Sequence, residues 1–181
     1  MSVFHAMQFY SSTEAVSRVV AAFLGAGFVQ DEPALVIATD EHRAAVSEFL
    51  HGAGFAVDAL LRDRRIAMVD AFVTLDEIMV NGRPDPVRFE TVAAALIAPL
   101  GGTKPAQIRV YDEMVDILWK RQDESAALLL ETLWDRLIVA RGCSLMCGHG
   151  PDPAGRPAQA LFAHHSHVVA ENGVPHPVIR M

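Results

Sequence analysis

"ALVIATDEHRAAVSEFLHGAG" occupies residues 34–54, and its two halves follow different rules. Ala34 to Ala38 is an unbroken apolar run with no polar alternation. Such a run marks a strand buried on both faces, as in a parallel sheet covered by helices on each side. Thr39 or Asp40 then supplies the capping oxygen of a helix. Val46, Phe49 and Leu50 form its apolar stripe, and Gly54 stops it.

The same alternation extends outward in both directions. Upstream, Val3 to Phe9 reads as a first strand. A helix follows, with Ser11 and Glu14 spaced as a capping box, Val16, Val19, Val20, Phe23 and Leu24 on one stripe, and Gly27 as its end. Downstream, Ile66 to Val69 is another buried strand, "TLDEIMVNG" a short helix, and Asp85-Pro86 the N-cap and first residue of a longer one. Ile108 to Tyr111 is the next strand. Helical segments run from Asp112 to Arg121 and Glu124 to Arg141, and "CSLMC" is a last buried strand. "GGTKP" and "GHGPDPAGRP" read as loops, "AQALFAHHSHVVAE" as a closing helix, and residues 172–181 as a tail turning at Asn172-Gly173. The pattern predicts one α/β domain over residues 1–171, three-layered, with a mostly parallel sheet and helices on both faces.

Composition narrows the function. The chain has 181 residues, a net charge of −7, and only two lysines, Lys104 and Lys120. Scattered arginines and an acidic balance disfavour direct nucleic-acid binding. "RDRR" at Arg62 to Arg65 reads as a solvated turn. No apolar run is long enough for a membrane span and no secretory leader is visible, so the expected location is cytoplasmic. Neither lysine is preceded by glycine, and no Gly-rich turn follows a strand, so ATP and GTP are not expected to bind.

Open parallel sheets bind ligands outside the carboxyl ends of their strands. That rule selects Tyr10, Thr39, Asp40, Asp70, Asp112, Glu113, Cys147 and His149. Of these, Asp112 reads chiefly as a helix cap, whereas Glu113 and Asp70 are expected to face a common crevice. Asp70→Asn and Glu113→Gln should then weaken a ligand response with little change in melting. Glu131 lies on an apolar helical stripe with Ala127, Leu130, Trp134 and Ile138, so its carboxylate must find a polar partner. His165 faces the core side of "HHSH", while His164 and His167 point away, so these three do not converge on a metal. His5 on the first strand has the same ambiguity between structure and site. Cys143 and Cys147, four apart on a strand, stand roughly 13 Å apart, too far for a disulfide or for chelating one ion together. Both read as reduced core thiols.

Several stretches in order carry a family resemblance: "HAMQFY", "FLGAGFVQDEPALVIATDEHRAAVSEFLHGAGF", "MVDAFVTLDEIMVNGRPDPVRF", "RVYDEMVDILW", "LLLETLWDRL", "SLMCGHG" and "HSHV". Together they resemble the MEDS domain, the methanogen/methylotroph sensory domain named after the DcmR regulator. The resemblance implies a RecA/KaiC-like core without a Walker A loop. It implies a sensory module for small hydrocarbon derivatives, often fused to kinase, anti-sigma or DNA-binding domains. It places His5 and Tyr10 on the "H…FY" motif, Asp70 on the acid closing the central strand, and Glu113 on a "GEM" motif whose Gly is Asp112 here. Glu131 and Trp134 fall on "LE..W" and Cys147 on "LLC". "GHG" replaces the usual aromatic-containing continuation.

The resulting expectation is a stand-alone, non-enzymatic sensory domain with no catalytic residues, no cofactor and no dedicated metal. A small molecule of unknown identity is expected at His5, Tyr10, Asp70, Glu113, Glu131, Cys147 and His165. Output is expected through a kinase, anti-sigma or transcription-regulator partner, with a homo-oligomer as a further option. The alternatives are a metal-binding protein or enzyme using Asp70, Glu113 and the histidines, and a protein-interaction domain with no ligand.

Overall fold

A computed structural model of the chain describes residues 4–101, 107–151 and 158–178, with 158 and 159 described by their backbone alone. Val3, most of "GGTKP" and most of "GHGPDPAGRP" lie outside the described residues. The elements run β1 (His5–Phe9), α1 (Thr13–Val29), β2 (Ala34–Ala38), α2 (Asp40–Gly52), α3 (Val57–Arg62), β3 (Ile66–Asp70) and α4 (Ala71–Ile78). Then come β4 (Met79–Val80), β5 (Arg83–Pro84), α5 (Pro86–Ile97), β6 (Arg109–Asp112), α6 (Met114–Lys120), α7 (Glu124–Arg141) and β7 (Ser144–His149). A 3-10 helix (Ala158–His164), β8 (His167–Val169) and β9 (Pro175–Pro177) close the described chain.

The seven-stranded sheet has the order β3-β2-β6-β7-β1-β8-β9. Every pairing is parallel except β8 with β9. Leaving β1, the chain crosses to β2 and β3 over one face, with α1 and α2 packed there. It returns to β6 and β7 over the other face, under α4 to α7. Reversing direction and face together keeps one crossover hand, as parallel sheets require. The core is accordingly split in two. Ala6, Val36, Tyr111 and Met146 face α1 and α2, while Met7, Ile37, Val110 and Cys147 face α6 and α7. Among the described residues no helix is long and apolar enough to cross a membrane.

The strand Ala34–Ala38 is entirely buried and Gly54 follows the helix at φ +90°, as read, but Thr39 takes the N-cap position without supplying a side-chain cap bond. Other details differ. The first helix is capped by Ser12, whose side chain accepts from the Ala15 amide; Ser11 instead donates its amide to Glu171. Gly27 does not end that helix, which runs on to Val29. A Cβ at Gly27 would lie 2.5 Å from Arg109 Cδ, so its glycine serves a close approach and not a stop. Helix α3 went unread because it is only six residues long and its apolar positions, Val57 and Leu60, are only partly buried. The "VNGR" segment is a two-stranded hairpin turning at Asn81 (φ 50°) and Gly82 (φ 77°), not the end of a helix.

Two corrections bear on function. Asp112 is not mainly a helix cap: it is the last residue of β6 and fully buried, and Glu113 takes the N-cap position without a side-chain cap bond. The closing helix is a 3-10 turn followed by a sixth parallel strand, β8, beside β1. The Ser166 amide donates to the His5 carbonyl, and the His5 amide donates to Ser166 Oγ, so β1 captures this segment as a strand. The tail adds β9 to the same edge.

Candidate functional site

Helix α7 carries Leu130, Trp134 and Ile138 into the core, and the same face buries Glu131 completely. Beneath it lie β1 and its neighbours β7 and β8. His5 opens β1, Cys147 sits opposite both Met7 and Asp112, and His165 lies two residues before the start of β8 at His167. Sheet order therefore brings together four residues far apart in sequence. His5 Nε2 lies 3.5 Å from Cys147 Sγ and 3.4 Å from Glu131 Oε2, while His165 Nε2 lies 3.6 Å from Glu131 Oε1. The His5 and His165 ring centroids are 4.2 Å apart.

Polar groups surround this cluster. Asp135, one turn beyond Glu131, accepts from His5 Nδ1 at 3.0 Å and from His164 Nδ1 at 2.6 Å. His165 Nδ1 donates to the Leu161 carbonyl at 2.8 Å. Trp134 Nε1 donates to Asp112 Oδ2, and His149 stacks edge-on to His165. Yet both carboxylate oxygens of Glu131, Nε2 of His165, both ring nitrogens of His149 and Oδ1 of Asp112 are buried without a hydrogen-bond partner. Buried polar atoms are almost always paired, so a knot of orphans marks a place where something else is accommodated.

The electrostatics are correspondingly uneven. Burial alone would lower His5, but its bonds to Asp135 and Glu131 outweigh that and raise it to about 9. Burial pushes His165 down to about 4 and His149 down to about 3. It pushes Asp112 up to about 8, with the neighbouring Glu131 charge adding to the effect. Burial resists ionisation of Glu131, but the surrounding histidines hold its carboxyl below the usual range. Burial also drives the Cys147 thiol well up. At neutral pH the interior thus holds a neutral Asp112, neutral His149 and His165, and a Glu131 carboxylate facing a protonated His5.

The other residues expected at the site lie elsewhere. Glu113 is on the opposite face, accepting from the Thr39 amide (2.8 Å), His42 Nδ1 (2.5 Å) and the Tyr111 hydroxyl (2.8 Å). Tyr10 sits beside that group, edge-on to His42 with Lys120 above its ring. Asp70 caps α4 through the Phe72 and Val73 amides and pairs with Arg43 at 2.9 Å, which holds its carboxyl below the usual range. Fully engaged in this way, Glu113 is a clamp between β6 and α2, and its replacement cannot leave melting unchanged. The four that converge, His5, Glu131, Cys147 and His165, lie under α7 and not along the strand ends. Asp135 was missed, although its spacing of four from Glu131 on one helix face was visible. His164 was read as pointing away, and it does leave the cluster, toward Asp135.

The mostly parallel sheet, covered by helices on both faces, defines a three-layer α/β core. The chain is similar in fold to a KaiC-like protein from the hyperthermophilic archaeon Pyrococcus horikoshii, with a TM-score of 0.61. That match covers 92% of this chain and 70% of the other at 12% identity, a likeness of fold alone. No curated protein matched the sequence. The family model of the MEDS domain, the methanogen/methylotroph DcmR sensory domain, matches residues 4–160. The chain belongs to that family, and a sensory role comes with membership.

Proposed function

We propose that the chain is a non-enzymatic sensory module whose sensing site is the polar chamber beneath α7. It acts through a separate protein of the signalling or transcription-regulator class. The observation carrying this reading is the set of orphaned buried atoms on Glu131, His165, His149 and Asp112. A folded protein tolerates such a group where a guest completes it. Non-enzymatic action is favoured by the burial of the Cys147 thiol, which holds the nucleophile of the four protonated. Family membership supports the sensory role.

The reading is tested by thermal shift of the purified protein with a panel of small alcohols, aldehydes, amines and carboxylic acids. At least one compound should raise Tm, by an amount corresponding to about 2.7 kcal/mol at a hundred times its Kd. Glu131→Gln should abolish the rise. A panel without a hit, or a hit indifferent to Glu131, would sink the assignment of the site.

A further inference from the structure

We propose that His5, Glu131, Cys147 and His165 form a binding site for one divalent transition-metal ion of the zinc class. Their donor atoms, Nε2 or its equivalent on each imidazole, the Cys147 sulfur and a Glu131 oxygen, all lie within 4.8 Å of one another. Four ligands at bond lengths of about 2.0–2.3 Å around a tetrahedral ion stand roughly 3.3–3.8 Å apart. Three of the six separations, 3.4 Å, 3.5 Å and 3.6 Å, fall in that range, and the others lie within 4.8 Å.

The imidazoles are already oriented for ligation. Asp135 engages His5 Nδ1 and the Leu161 carbonyl engages His165 Nδ1. When Nδ1 donates, Nε2 is left with a lone pair facing inward. A carboxylate or carbonyl behind each ligating histidine is the usual outer arrangement of zinc sites. Without metal a proton on His5 lies between its ring and the Glu131 carboxylate; once that proton leaves, two inward lone pairs and the carboxylate confront one another with no donor between them. Either a proton or a cation resolves that confrontation. A thiolate, two imidazoles and a carboxylate in a four-coordinate arrangement suit zinc better than the hard oxygen-seeking ions. Cys143 contributes nothing, since it is not among the converging donors. Because the buried Cys147 must lose its proton to ligate, uptake releases protons to solvent.

For its biological role this assignment rests on the chamber being the sensing site, but metal affinity is measured separately. Full-length protein is stripped with EDTA, titrated with Co²⁺ and then with Zn²⁺, and its stoichiometry is read by native mass spectrometry. One equivalent of Co²⁺ should bind with thiolate-to-cobalt charge-transfer absorption that Zn²⁺ abolishes. Cys147→Ser should remove that absorption, while Cys143→Ser and His176→Gln keep it. Asp135→Asn should weaken Zn²⁺ by about 10–100-fold through His5. If Cys147→Ser fails to fold, the shape-conserving Glu131→Gln carries the test, losing at least tenfold in affinity. Sub-stoichiometric uptake, or one equivalent bound unchanged in all these variants, overturns the proposal. Stoichiometric metal in a protein that answers no organic compound leaves this site standing and removes the chamber's role in sensing them. A ligand response in a protein that takes up no metal does the reverse.

Discussion

Glu113 and Glu131 are both buried carboxylates, on opposite faces of one sheet, and their surroundings differ completely. Glu113 receives a backbone amide, an imidazole and a phenol hydroxyl. Glu131 is 0% exposed and receives no hydrogen bond of sound geometry. A buried charge with all its lone pairs answered is architecture, since removing it strands the donors around it. A buried charge left facing other acceptors is costly by itself, and a cation or small guest lowers that cost. Burial alone therefore separates neither from the other; the partner inventory does.

The sharpest break of that contrast is a matched substitution. Glu113→Gln should cost about 3 kcal/mol in urea unfolding, because a neutral amide cannot accept from all three donors. Glu131→Gln in the metal-free protein should stay within about 1 kcal/mol of wild type, since its amide oxygen can accept from His5 and its amide hydrogens can meet the His165 lone pair. Equal losses would erase the distinction.

Next in size is the pH response of the metal-free protein. His5 and Asp112 both hold protons in the folded state, to about 9 and about 8, beyond the point where the unfolded chain releases them. For His5, the stabilisation is complete below its unfolded value near 6.5 and is lost as pH rises through about 9. For Asp112, folding is progressively penalised above its unfolded value near 4, levelling off beyond about 8. Both contributions fall on the alkaline side, together by about 2 kcal/mol between pH 7 and 8. Asp112→Asn should flatten that slope by about half in urea melts at the two pH values. His149 and His165 act with the opposite sign: their contribution is present above about 6.5 and lost as pH falls toward about 3 for His149 and about 4 for His165.

A smaller effect separates the two thiols. Cys147→Ser places a hydroxyl 3.5 Å from His5 Nε2 and should cost about 1 kcal/mol, against about 2 kcal/mol for Cys143→Ser in its apolar setting. Reversed magnitudes would show that the chamber is apolar in practice. The smallest effect expected is none: ATP or GTP with Mg²⁺ should leave Tm unchanged. The β1-to-α1 connection offers Tyr10, Ser11 and Ser12 in place of a glycine-rich cradle, and Lys120 is held by Asp116 at 2.7 Å. A clear nucleotide-dependent rise would overturn the loss of phosphate binding.

Periodicity made the sheet legible. Ala34–Ala38 and Ile66 to Val69 read as strands because covered parallel strands are apolar throughout, and Asp85-Pro86 announced its helix through local chemistry. "AQALFAHHSHVV" was misread because its apolar spacing suits a helix, while the partner that makes it a strand is β1, some 161 residues away. His5, Glu131, Cys147 and His165 were each conspicuous as polar or reactive groups on apolar elements. Their convergence depends on β7, β1 and β8 lying side by side beneath α7, and strand order leaves no mark on local periodicity. The strand-end rule selected Glu113 instead, whose partners on α2 were equally invisible.

Asp135 has a consequence for time as well as for energy. Its side chain is 38% exposed, and its Oδ1 holds His5, whose far nitrogen faces Glu131. Bulk water is thereby joined to the sealed interior by a relay of one carboxylate and one imidazole. Protons exchanged along that relay move at the pace of side-chain rearrangement, with no need for the helix to lift from the sheet. The chamber can then re-equilibrate within a single folded lifetime, and its charge state follows the surrounding medium instead of being frozen at the moment of folding.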